Sequence, residues 1–217
     1  MATITHLDRG CYEAARAAAL SGVPERTVYS WAQRELVVPS ISAEREKLWS
    51  YGDLLTLRLV DWLRRPKDED EAGAEIARTS MTEIRAMLDR GGDQLWIRDE
   101  SGHERATIMV TSTGRIYLGD DPVHTVKGQT ALEGVLDLFA PFHTGPDLRE
   151  PRPSLRILPG KVAGEPHLVH SRLTTRTVAA LAQRGFSVTQ IASMYPDQDP
   201  DALQQALDLE KQLTAAA

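Results

Sequence analysis

The sequence predicts an α+β fold in three parts: a winged helix-turn-helix over residues 1–66, a mixed region with a small antiparallel β-sheet over 67–145, and a C-terminal trihelical, helix-turn-helix-like domain over 146–217. Three observations carry this. A short Ala-rich run ends at Gly22 and restarts at Pro24. Short β-branched and aromatic runs separated by turn residues fill the middle. Three helical segments punctuated by Gly185, Pro196 and Pro200 close the chain.

The first part begins with Tyr12 to Leu20, rich in strong helix formers. Gly22 suits the left-handed conformation that ends a helix, and Pro24 suits the first turn of the next. Two helices joined by such a turn place the second where it can enter a DNA major groove. In that second helix Val28 and Trp31 share one side, with Val23 just before it, and should face the core. Arg26, Tyr29, Ser30, Gln33 and Arg34 are the candidate DNA contacts, able to meet bases or phosphates. Ser40 to Lys47 reads as a hairpin wing carrying two further candidates, Arg45 and Lys47. A helix capped at Ser50 or Asp53 then runs to Arg65, with Leu54, Leu55, Leu57, Leu59, Val60, Trp62 and Leu63 closing a small core.

Gly22-Val23, Thr27-Val28 with Trp31, Leu36-Val37-Val38-Pro39, Trp49 with Tyr51, and Asp53-Leu54 together resemble the MerR-type winged helix-turn-helix over about a quarter of the chain. The sequence departs from that family at Tyr29, where an Arg is usual, at Ala32 for an acidic residue, and at Glu35 for a Gly.

After Pro66 an acidic run, Asp68 to Glu71, reads as a solvated connection. A helical pattern spans Ala72 to Leu88, with Ser80 and Glu83 at capping-box spacing and Gly91-Gly92 as its stop. Strands are expected at 95–98, 106–111 and 115–118, and a short helix at 132–139 before a Pro- and Gly-rich linker. Nothing in this third suggests chemistry.

The last part combines an extended segment, Leu155 to Thr174, with helices expected at 177–184, 187–195 and 199–214. Ser187 and Asp199 are the expected N-caps and Gly185 a C-cap. Val178, Leu181, Ile191, Met194, Leu203, Leu207 and Leu213 should form the core. Gly164-Glu165-Pro166, Leu168-Val169, Ser171-Arg172-Leu173, Gly185 and Tyr195-Pro196 resemble domain-of-unknown-function family 433, with His170 where that family usually has Gly. Members are often small antitoxins encoded beside a PIN-like nuclease. A winged helix before such a domain resembles a VapB-type antitoxin of the VapBC class. That resemblance implies operator DNA and a PIN-type ribonuclease toxin as partners, with autoregulation of the operon. Alternatives are a stand-alone regulator whose middle region senses a ligand, and an interaction adaptor without DNA binding.

Arg156, Lys161, Arg172 and Arg176 are the candidate toxin contacts, because a basic side chain set among nuclease carboxylates competes with a catalytic metal. Phe186, Tyr195, Leu203 and Leu207 are candidates for a homodimer interface. The helix after Asp199 carries Asp201, Asp208 and Glu210 against Lys211, the wrong sign for phosphates, so DNA contact is assigned to the N-terminal unit.

Charge fits that division. Residues 1–66 hold nine Lys/Arg and eight Asp/Glu, or +1; the rest holds 16 (25 − 9) against 23 (31 − 8), or −7. A footprint of +1 gives weak non-specific DNA affinity, so a dimer is expected to double the contacts. No 18-residue apolar run and no signal-peptide pattern is present, and one cysteine cannot form an internal disulfide; a cytoplasmic protein is expected. Cys11 reads as a small buried residue. The six histidines lack metal-ligand spacing, and neither a phosphate-cradling Gly-x-x-x-x-Gly-Lys nor Gly-x-Ser-x-Gly occurs, so no metal, cofactor or enzymatic activity is expected.

Overall fold

The chain is an α+β protein of seven helices and short antiparallel strand pairs among the residues that the computed structural model describes, 7–69, 75–98, 104–106, 108–118 and 137–216. Backbone contacts divide it into two compact units, residues 6–57 with 139–217, and residues 1–5 with 58–138. The winged-helix segment expected over 1–66 and the trihelical segment expected over 146–217 thus share one unit up to Leu57, and the boundary falls inside a helix.

In the first unit, β1 (Tyr12–Glu13) pairs antiparallel with β2 (Leu48–Trp49), Tyr12 opposite Trp49. Between them come α1 (Ala14–Ser21) and α2 (Glu25–Gln33). Gly22, at φ 73°, ends α1 by donating its N–H to Ala18 O, as its lack of a Cβ permits. Pro24 O accepts from Thr27 N and Val28 N to open α2. Next, α3 (Tyr51–Arg64) begins with a reciprocal cap: Ser50 N donates to Asp53 Oδ2 at 2.8 Å, and Asp53 N donates to Ser50 Oγ at 3.2 Å. Tyr12, Leu20, Val28, Trp49, Leu54 and Leu55 are fully buried. Cys11 is exposed, against expectation, because side chains alternate along the extended chain there and its neighbour Tyr12 takes the buried side.

The C-terminal part of this unit starts with β7 (Leu155–Arg156), which pairs antiparallel with β8 (His167–Leu168). α5 (Thr175–Gln183), α6 (Val188–Met194) and α7 (Pro200–Ala216) follow. Ser187 and Gln190 form the full capping box of α6. Val178, Ile191, Leu203 and Leu213 are core, as the spacing predicts. Met194 is not: it is 46% exposed, at the last residue of α6. Leu181 and Leu207 are half-buried.

The second unit takes over at Arg58, a fully buried side chain whose Nη1 donates to Leu138 O. Lys67 and Ile76 form an isolated bridge, so the helical pattern read from Ala72 is not realised over 75–80; α4 spans Met81–Gly91. Ser80 caps it by accepting from Glu83 N, but Glu83 Oε1 accepts from Ile116 N instead of returning to Ser80, so a tertiary contact replaces half of the capping box. The expected strands appear as two hairpins, β3 (Trp96–Arg98) with β4 (Glu104–Ala106) and β5 (Ile108–Val110) with β6 (Ile116–Leu118). The run read as one strand over 106–111 is therefore shared between two pairs. Most of the expected 132–139 helix lies outside the described residues; 137–139 are not helical.

Candidate nucleic-acid interface

Helix α2 sorts its residues by face. Val28, Trp31 and Ala32 are buried, while Arg26, Tyr29, Gln33 and Arg34 are exposed and Ser30 is half-buried. At roughly 100° per residue the five outward positions fall within an arc of about 140°. Tyr29 leans edge-on against Trp49, with ring centroids 6.2 Å apart and planes at 88°. That contact sets the α2 face beside the strand at the base of the wing.

The wing is small. Ser42 and Leu48 exchange backbone hydrogen bonds at 3.2 and 2.8 Å, residues 43–46 including Arg45 are exposed, and Lys47 Nζ donates to Ala43 O. Its base is tied to α3 by Asp53, which accepts from Ser40 N at 2.9 Å and Ser40 Oγ at 2.8 Å. Burial pushes the Asp53 carboxyl above its usual range, and the Ser40 and Ser50 hydrogen bonds offset this only in part.

Electrostatically the face is balanced. Arg26, Arg34, Arg45 and Lys47 alternate with Glu25, Glu35, Glu44 and Glu46. Two of the nine cations counted in 1–66, Arg16 and Arg58, are buried at 7% and 0% exposure and add nothing to the surface. The interface can orient a polar ligand but attracts polyanions weakly.

The end of α2 carries a conformational cost. Leu36 N donates to Trp31 O and Glu35 N to Ala32 O, a Schellman closure with Glu35 at φ 53°. The same closure ends α5, where Phe186 N reaches Leu181 O and Gly185 N reaches Ala182 O, but there Gly185 holds the left-handed position. His170 is a second such case, at φ 59°. Both Glu35 and His170 stand where the resembled families place glycine. Glu35→Gly and His170→Gly are each expected to raise unfolding stability by about 0.5–1 kcal/mol, measured by urea titration. A loss of stability in either would remove this explanation.

Behind the interface, α1 is tied to the C-terminal segment by a buried ionic network that sequence reading missed. Arg16 Nη2 lies 2.7 Å from Glu165 Oε2 and 2.8 Å from Glu210 Oε1, with all three side chains at most 15% exposed. Thr175 Oγ1 also donates to Glu210 Oε1. Burial pulls the Arg16 pKa down, yet the two carboxylates outweigh it and hold the guanidinium above its ordinary value. Beside it, Tyr12 Oη donates to Gly164 O at 2.8 Å, and Gly164 sits at φ 80°. The Gly164-Glu165-Pro166 turn is therefore a docking piece for α1. One signal was available in the sequence. Glu210 shares the stripe of Leu203, Ala206 and Leu213, so an acid there calls for a buried cation. By charge alone it joins the acidic residues of α7 that face outward, which hides that role.

The four candidate toxin contacts differ in how they are held. Arg156 is engaged by Glu150 at 3.2 Å and by the carbonyls of Pro153 and Leu155. Arg176 lies 3.8 Å from Glu165. Lys161 and Arg172 lie near His167, close enough to depress its pKa. Of the four dimer candidates, Leu203 is fully buried within the chain and is withdrawn; Phe186, Tyr195 and Leu207 are half-buried.

His167 is 1% exposed, and its Nδ1 donates to Glu165 O at 3.0 Å. Burial lowers its pKa below the ordinary value, the Glu165 bond raises it somewhat, and Lys161 and Arg172 lower it further. The folded state therefore favours neutral His167. Its contribution is complete above the unfolded pKa of about 6.5 and is lost as pH falls through the lower folded value. Stability should decline below about pH 6.5 with a His167 component no steeper than about 1.4 kcal/mol per pH unit, and His167→Asn should remove that component. An unchanged pH profile in the variant would show that other groups carry the slope.

No helix among the described residues is long and apolar enough to cross a membrane. Residues 156–208 match the family described as protein of unknown function (DUF433). No curated protein and no solved structure matches the chain.

Proposed function

We propose that this chain is a DNA-binding antitoxin: a homodimer whose α2 enters the major groove of its own operator, and which holds a PIN-type ribonuclease inactive. The observation that carries the DNA half is the sorting of α2, with Val28, Trp31 and Ala32 inside and Arg26, Tyr29, Ser30, Gln33 and Arg34 turned outward. The DUF433 match over 156–208 supports the antitoxin half through the company that family keeps. Arg156, Lys161, Arg172 and Arg176 are the cations proposed to meet nuclease carboxylates. The MerR-type reading of α1, α2 and the wing is supported by the antiparallel Ser42–Leu48 closure and the three-residue turn after Ser21.

The first test is binding to the DNA upstream of the chain's own reading frame at low salt. Gln33→Ala is expected to cost about 1–3 kcal/mol of discrimination between operator and unrelated DNA. Arg45→Ala should weaken binding to both DNAs about equally and reduce the log–log salt slope by about 1, as removal of one phosphate-binding cation does. Equal binding by all three proteins, or none, would sink the DNA half. For the partner half, the product of the adjacent reading frame is co-expressed and the tagged chain recovered. A nuclease that co-purifies and becomes active on separation is the expected result; a neighbour equally active with and without this chain overturns it.

A further inference from the structure

A groove of about 870 Å³ runs between α1, α5 and α7. Its floor is small: α1 offers Ala15 and Ala19, α5 offers Ala179 and Ala180, and α7 contributes Leu207 and Leu213. On α1 Ala15 and Ala19 lie one turn apart, and small or aliphatic side chains from all three helices border one open channel. Small residues let a further backbone approach closely, and three helix walls offer the seat of a fourth helix.

Charge identifies the occupant. Two exposed cations line the groove, Arg176 and Lys211, together with the buried Arg16 and one carboxylate, Glu210. That carboxylate is already neutralised by Arg16 and hydrogen-bonded by Thr175. Arg176 on α5 and Lys211 on α7 have side chains 56% and 75% exposed, and their own pairings are a 3.8 Å contact to Glu165 and a 3.4 Å surface pair with Asp208. Exposed pairs of this kind exchange readily. The exposed charges on the lining of this apolar-floored channel are thus both positive, Arg176 and Lys211, each held only by a weak surface pairing.

We propose that the groove docks an amphipathic helix of a partner protein, with Ala- to Leu-sized residues along one stripe and Asp/Glu on both flanks to meet Arg176 and Lys211. The assignment rests on neither half of the proposed function, since a peptide titration answers it whatever the adjacent reading frame encodes.

Two fluorescein-labelled helical peptides of about 15 residues share one Ala/Leu stripe; one carries Glu on its flanks and the other Lys. Anisotropy titration of the full chain should show saturable binding of the acidic peptide and binding of the basic peptide weaker by about tenfold or more. Ala180→Trp, at an exposed position, should fill the channel and abolish binding with far-ultraviolet circular dichroism unchanged. Arg176→Glu with Lys211→Glu should reverse the preference. No saturable binding of the acidic peptide, binding indifferent to Ala180→Trp, or a homodimer in sedimentation that Ala180→Trp dissociates would each overturn the proposal, the last by giving the groove to a second copy.

Discussion

Arg16→Met is expected to lower the unfolding free energy by about 3–5 kcal/mol, because it leaves Glu210 buried without its cation and Glu165 with only the 3.8 Å contact to Arg176. The loss measures stranded carboxylate charge, not the strength of the ion pairs. A triple variant, Arg16→Met with Glu165→Gln and Glu210→Gln, should therefore recover much of it, since a buried ionic cluster replaced by uncharged groups of like volume is often close to neutral. Glu165→Gln alone should cost less than Arg16→Met, because Glu210 remains to pair with the guanidinium. Urea titrations followed by tryptophan fluorescence give all three values. A triple variant as unstable as the single one would mean that Arg16 acts through packing of its stem instead.

Gly22→Ala is the second large effect, expected at about 2–5 kcal/mol from left-handed strain and overpacking together. Gly22 is left-handed at φ 73°, which costs a side chain about 1–2 kcal/mol. A methyl there would overlap the backbone oxygen of Phe142 and stand 2.8 Å from Gly145 N. Neither atom yields easily: Phe142 and Gly145 hold each other through N–H to O bonds of 3.0 and 2.8 Å. Overpacking against backbone adds about 1–3 kcal/mol. The substitution should also weaken DNA binding, since it displaces the turn that aims α2. If Gly22→Ala melts within a degree of the parent, the close approach of the 142–145 turn to α1 is not what fixes that glycine.

What the sequence disclosed and what it hid follow one physical line. Local chemistry was legible. Gly22, Pro24, Gly185, Ser187 and Pro200 mark helix ends through backbone preferences that act within a few residues, and the buried face of α2 follows from 3.6-residue spacing. Long-range pairing was not. Arg16 meets Glu165 and Glu210 across 149 and 194 residues, and one cation and two acids carry no periodicity to announce it. The apolar pattern over 106–111 suggested one strand, but strand division depends on partners that composition does not name. On α2, the outward positions Arg26, Tyr29 and Gln33 were readable because their buried neighbours were.

The bond from Tyr12 to Gly164 and the ion pair from Arg16 to Glu210 also set a timetable for synthesis. Their partners are 152 and 194 residues apart. At about 5–20 residues per second, α1 and α2 wait on the order of 10–40 s after leaving the ribosome before their C-terminal partners exist. Through that interval Tyr12 and Arg16 lack these native partners, and the helix pair stands without its support. The unit therefore completes folding late and non-locally, a topology associated with slow folding. Nascent chains stalled before Glu210 should be cut by protease within α1 and α2, where full-length chains resist.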